Sequence, residues 1–145
     1  MRGALGRVIV LAALVLLLPG CGLGNFLPAW QFYRNQAAFR QAAAAILTGE
    51  DCERPAGVLA VDVWHRQGKS GAEIVDFSLC GWGLGPATSY WGIYTTTDGG
   101  PAGFQGASMS LREEEGGWAW REEDGDNAYV TVPVAPGWYC YRMDF

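Results

Sequence analysis

The side chains able to do chemistry are few and scattered. His65 is the single histidine of a 145-residue chain. One imidazole makes neither a metal site nor an acid–base pair, because both need converging partners. Two acidic clusters, Glu113-Glu114-Glu115 and Glu122-Glu123-Asp124-Gly125-Asp126-Asn127, flank a short segment, 118–121. Hard cations prefer several oxygens, and the second cluster is like a fragment of a calcium loop, but it lacks the spaced ligands and distal Glu of a helix–loop–helix site. Solvated turn charges are the simpler reading. Glycoside hydrolysis would need two carboxyl groups at a set separation, and nothing in the spacing supplies that. The chain has no Gly-x-Ser-x-Gly, no HExxH and no phosphate-cradling loop before a helix. The stretch Gly81-Trp82-Gly83-Leu84-Gly85 lacks the third-glycine spacing and the following helix of a dinucleotide loop. No metal and no cofactor is expected, and catalysis is the lesser expectation.

The tryptophans offer more. Most aromatic side chains fill cores, yet an exposed aromatic patch marks a binding surface. Trp82 lies in the glycine-rich stretch, and Trp118 and Trp120 share one face of a short strand. These three are the expected ligand-binding residues, and a sugar ring, a peptide or another protein would suit them.

The N-terminus carries a different chemistry. Arg2 and Arg7 precede an unbroken apolar run, Val8 to Leu18, followed by Pro19-Gly20-Cys21. A membrane-spanning helix needs about 20 apolar residues. This run is shorter and ends at a proline, which is the pattern of an export signal. Leu18-Pro19-Gly20-Cys21 resembles the lipobox of bacterial lipoproteins. The resemblance implies cleavage before Cys21, acylation of its sulfur, and a protein held on the extracytoplasmic face of the cell membrane, with residues 1–20 as signal peptide and 21–28 as a short tether. Two or more acyl chains anchor stably where one does not.

Removal of 1–20 leaves 125 residues, enough for one domain with a core. Arg2 and Arg7 leave with the leader, so ten basic residues become eight against fifteen acidic, a formal net charge of −7. That balance excludes nucleic acid as a partner and gives no electrostatic adhesion to anionic lipid. With Cys21 acylated, an oxidising exterior permits one disulfide among Cys52, Cys80 and Cys140, with Cys52–Cys80 and Cys52–Cys140 the favoured pairings and the third thiol a small buried hydrophobe.

The elements that must position these residues follow from periodicity. Phe32, Phe39 and Ile46, with Ala43 and Leu47 beside them, form a helical stripe over 29–47, with Pro28 in the first turn and Gly49 as C-terminal cap. From residue 58 the period changes to two. Strands are expected over 58–65, 73–80, 88–97, 104–112, 118–122, 129–134 and 138–145, with glycine-bearing turns between them. The expected fold is a single α+β domain over 29–145, a helix on a six- or seven-stranded antiparallel meander, with a small β-barrel as the alternative.

The C-terminal stretch resembles the ends of small uncharacterised secreted proteins of Firmicutes, through Asp126, Asn127 and Tyr129 and through Trp138, Tyr139 and Tyr141, with Cys140 departing from that pattern. It implies no activity. The expected function is a non-catalytic binding or interaction lipoprotein. An envelope hydrolase using carboxylates and a structural accessory subunit are the alternatives.

Overall fold

The computed structural model describes residues 23–67, 71–84 and 86–145, with side chains from Leu27 onward. The leader and Cys21 lie outside them. Two helices, α1 (Leu23–Arg34) and α2 (Gln36–Thr48), precede seven strands, β1 (Ala60–His65), β2 (Glu73–Leu84), β3 (Ala87–Thr96), β4 (Arg112–Glu114), β5 (Gly117–Arg121), β6 (Ala128–Ala135) and β7 (Trp138–Asp144). The strands form one open antiparallel sheet in the order β1-β2-β3-β7-β6-β5-β4. The α+β class stands, and the barrel is not formed.

Several expectations need correction. The single helix is two, and it begins at Leu23, so most of the expected tether is helical and Pro28 lies inside α1. The break is at Asn35, whose side-chain amide donates to the Gln31 carbonyl at 3.2 Å and competes there with the backbone. The cap at Gly49 is as expected. Gly49 is left-handed, and Glu50 N–H returns to the Ala45 carbonyl at 2.8 Å. Leu47 is exposed and does not join the stripe.

The sheet is not a simple meander. β1–β3 form one meander and β4–β7 another, and β7 inserts beside β3 so that the last strand is central. The connector 97–111 must therefore cross the sheet. The strand expected over 104–112 is instead a 3-10 turn, Phe104–Gly106, followed by irregular chain. Its alternating Met109 and Leu111 mimic a strand, but Gln105 and Gly106 both take positive φ and break any ladder. β4, only three residues long, lay partly within an expected turn.

Each face of the sheet has its own core. Phe32 and Phe39 of the helices pack on Val75, Phe77, Ile93 and Trp138. On the opposite face, Tyr94, Tyr129, Tyr139, Tyr141 and Met143 are covered by Ala102, Phe104, Met109 and Leu111 of the connector. Alternation along β7 feeds both faces, with Trp138 and Cys140 toward the helices and Tyr139, Tyr141 and Met143 away. Gly92 of β3 is required by this packing, because a Cβ there would meet the Tyr141 ring at 2.6 Å.

Candidate functional site

The expected Gly81–Pro86 loop is for the most part strand. β2 and β3 stay paired as far as Leu84↔Ala87, and the hairpin runs past the end of β7, whose last pair is Ser89↔Asp144. Gly83 permits this, since its φ of +151° is one that side chains avoid and a Cβ would strike the Ala87 carbonyl. A bulge between Ser78 and Cys80 shifts the register. Before it, Val75 and Phe77 face the helices, and after it Cys80 pairs with Trp91. Cys80, Trp82 and Leu84 thus share the helix-side face of the hairpin.

α1 crosses this face in a fixed direction. Its early residues meet Leu79, Cys80 and Trp91 near the hairpin end. Near its C-terminal end, Tyr33 donates to the Val134 carbonyl at 2.8 Å, toward the opposite end of the sheet. Between the early turns and the bulge lies an open apolar groove of about 450 Å³, lined by Leu27, Pro28, Trp30, Leu79, Cys80 and Trp91. Around it the apolar surface is uncovered: Leu27 is 66%, Trp30 50%, Trp82 78% and Leu84 92% exposed. Guanidinium groups ride on two of the rings, Arg34 over Trp30 at 5.1 Å and Arg142 over Trp91 at 5.4 Å. The Trp91 indole N–H is buried with no acceptor among the described residues.

The three expected tryptophans do not form one surface. Trp82 projects from the hairpin on the helix side. Trp118 and Trp120 are half-buried against the tyrosine core on the other face, with Trp118 edge-on to Tyr139. Trp120 also lines a separate polar recess of about 610 Å³ with Arg112, Arg121, Glu122 and Glu123. Trp30, exposed at the groove on the same side of the sheet as Trp82, lies in the helical segment but off its Phe32–Phe39 stripe. Its place two residues after Pro28, on the flank of the helix away from Phe32, was the available signal.

The carboxylates give one displaced group. Asp76 of β2 is buried on the tyrosine side, and burial pushes its pKa up to about 7. A hydrogen bond from Tyr141 at 3.2 Å opposes that rise, the charge of Asp62 adds to it, and the Trp64 indole opposes it weakly, short of a well-formed hydrogen bond. Asp62 stands directly across from Asp76 in the β1–β2 register. The cavity at Asp76 is about 10 Å³, room for roughly one water and no substrate. A carboxyl pair with a displaced pKa is present, and the described cavity beside Asp76 is too small to admit a substrate.

His65 is exposed at the end of an edge strand opposite Glu73. Among the described residues no three of His, Cys, Asp and Glu come together to hold a metal ion. The acidic clusters lie toward opposite ends of β5, as expected, and Glu114 pairs with Arg121 at 2.6 Å. The expected disulfide is absent: no two of Cys52, Cys80 and Cys140 are joined. Cys52 and Cys80 are exposed, and Cys140 sits in the helix-side core with its thiol pushed up to about 12 by burial. None of the described helices is long and apolar enough to cross a membrane.

Comparison with protein-family models, curated proteins and solved structures finds no match.

Proposed function

We propose that this protein is a lipid-anchored extracytoplasmic binding module without catalytic activity, and that it acts through the groove between α1 and the β2–β3 hairpin. One observation carries the reading: an open apolar groove lined by the exposed Leu27 and Trp30, with the exposed Trp82 and Leu84 following Cys80 on the same face of the hairpin, on a domain whose other aromatic residues are mostly packed. The export pattern and the lipobox-like Leu18-Pro19-Gly20-Cys21 support the anchor. The cramped surroundings of Asp76 weigh against the hydrolase alternative.

Two experiments test this. Intact mass of the protein from its native membrane should show loss of residues 1–20 and gain of acyl mass at Cys21. An uncut chain without acyl mass contradicts the anchor. Trp30→Ala and Trp82→Ala should each abolish crosslinking of the protein to its envelope target while thermal unfolding stays unchanged. Undiminished crosslinking contradicts the groove.

A second reading rests on the recess at Trp120. An indole plate beside two guanidinium and two carboxylate groups suits a sugar ring, which stacks on the one and hydrogen-bonds to the others. Under that reading Trp120→Ala, not Trp82→Ala, removes binding to envelope glycan.

A further inference from the structure

We infer that the groove end of the molecule docks on the bilayer itself, so that the β2–β3 hairpin tip and the first turns of α1 form a second membrane contact beside the acylated Cys21. This rests on the lipoprotein reading and names the partner of its groove, the interfacial layer of a zwitterionic phospholipid bilayer. The chain has two long stretches without a charged residue, 8–33 and 77–97, both longer than any other in the sequence. The fold brings them together: the described part of the first supplies Leu27 and Trp30, and the second supplies Leu79, Cys80, Trp82, Leu84 and Trp91.

Direction and reach agree. Cys21 stands two residues before the first residue of α1. The early turns of α1 lie at the hairpin end of the sheet, while Tyr33 reaches the other end. Leu27 is six residues beyond Cys21, a separation of at most roughly 20 Å even for extended chain. Any bilayer that holds acyl chains at Cys21 is therefore within reach of the groove. The chemistry fits as well. Tryptophan favours the headgroup level, where its ring is apolar and its N–H meets acceptors, and leucine favours the hydrocarbon just beneath. Leu84 is the most exposed apolar side chain on the hairpin, and Trp82 stands two pairs behind it on the same face. Charge selects the lipid. At the groove Arg34 lies over Trp30 and Arg142 is paired with Asp144 at 2.9 Å, while the four carboxylates of the acidic turn 122–127 lie at the same end of the sheet, three strands from β3 or roughly 14 Å away, and outweigh these cations against an anionic surface.

The test uses the native protein, its mass recorded, reconstituted into phosphatidylcholine vesicles with brominated acyl chains. Bromine should quench tryptophan emission, and Trp82→Phe should remove the larger part of that quenching, with Trp30→Phe removing most of the rest. Replacing part of the phosphatidylcholine with phosphatidylglycerol should not deepen the quenching. Acyl mass with Trp82 unquenched and open to aqueous acrylamide overturns the docking and leaves the anchor. Trp82 shielded from both quenchers also overturns it, because a protein partner or second copy then covers the groove. Bromine quenching at Trp82 without acyl mass supports the docking and overturns the lipoprotein reading instead.

Discussion

The two faces of the sheet are both buried but are built from different chemistry. The helix side is almost all hydrocarbon: Phe32, Phe39, Val75, Phe77, Ile93 and Trp138. The connector side has four tyrosines and Asp76, Thr96 and Thr131. The difference lies in what covers each face. A helix satisfies its own backbone N–H and C=O groups, so the face beneath it needs no polar atom. An irregular connector brings bare backbone groups, and something must meet them. The tyrosine hydroxyls do so. Ala102 N–H donates to the Tyr94 hydroxyl at 3.0 Å, Tyr129 donates to the Ala102 carbonyl at 2.9 Å, and Tyr139 donates to the Gly99 carbonyl at 2.7 Å. Tyr94 and Thr131 close the network at 2.8 Å. The consequence is functional. The connector face is pinned by a network of hydroxyls, whereas the helix face, where Tyr33 to Val134 ties α1 to the sheet at the far end, keeps apolar side chains exposed at its hairpin end.

The largest expected effect of breaking this contrast is on the helix side. Phe39 is fully buried and meets Phe77 and Trp138 edge-on. Phe39→Ala should cost about 3–5 kcal/mol, visible as a large fall in the thermal midpoint. On the connector side, Asp76 gives a pH signature that the helix side cannot. Its pKa rises from 3.8 to about 7 in the fold. Between those values the native state keeps a proton that the unfolded chain has released, so stability falls as pH rises through the window, by up to about 1.4 kcal/mol per pH unit, and levels off above it. Asp76→Asn should flatten that slope in denaturant titrations and raise stability at pH 8. Tyr94→Phe should cost about 1–3 kcal/mol and speed amide exchange at Ala102, because its N–H loses its acceptor. The smallest effect on folding belongs to the open end: Trp82→Ala should leave the midpoint within about 0.5 kcal/mol while abolishing binding.

Much of this was legible in the sequence. The Phe32–Phe39 stripe, the Gly49 cap, six of the seven strands and the alternation of Trp138, Tyr139, Cys140 and Tyr141 follow from local periodicity. What was not legible depended on distant partners. The Asn35 break turns on a competition for the Gln31 carbonyl. Met109 and Leu111 carry a strand's period, but the connector is held by hydroxyls from β3, β6 and β7 and forms no ladder. The glycines of 81–85 read as a loop, although pairing to β3 makes most of them strand. Trp82, Trp118 and Trp120 looked alike in composition. The register separates them, placing one on the open face and two against the pinned one.

Carbene footprinting of the protein on its native membrane, compared with the same protein extracted, tests the central claim that the open helix-side end is where this molecule makes contact. Protection should fall on Leu27, Trp30, Trp82 and Leu84, with Trp118 and Trp120 labelled equally in both states. Protection at Trp118 and Trp120, with Trp82 labelled as strongly on the membrane as off it, would contradict the account.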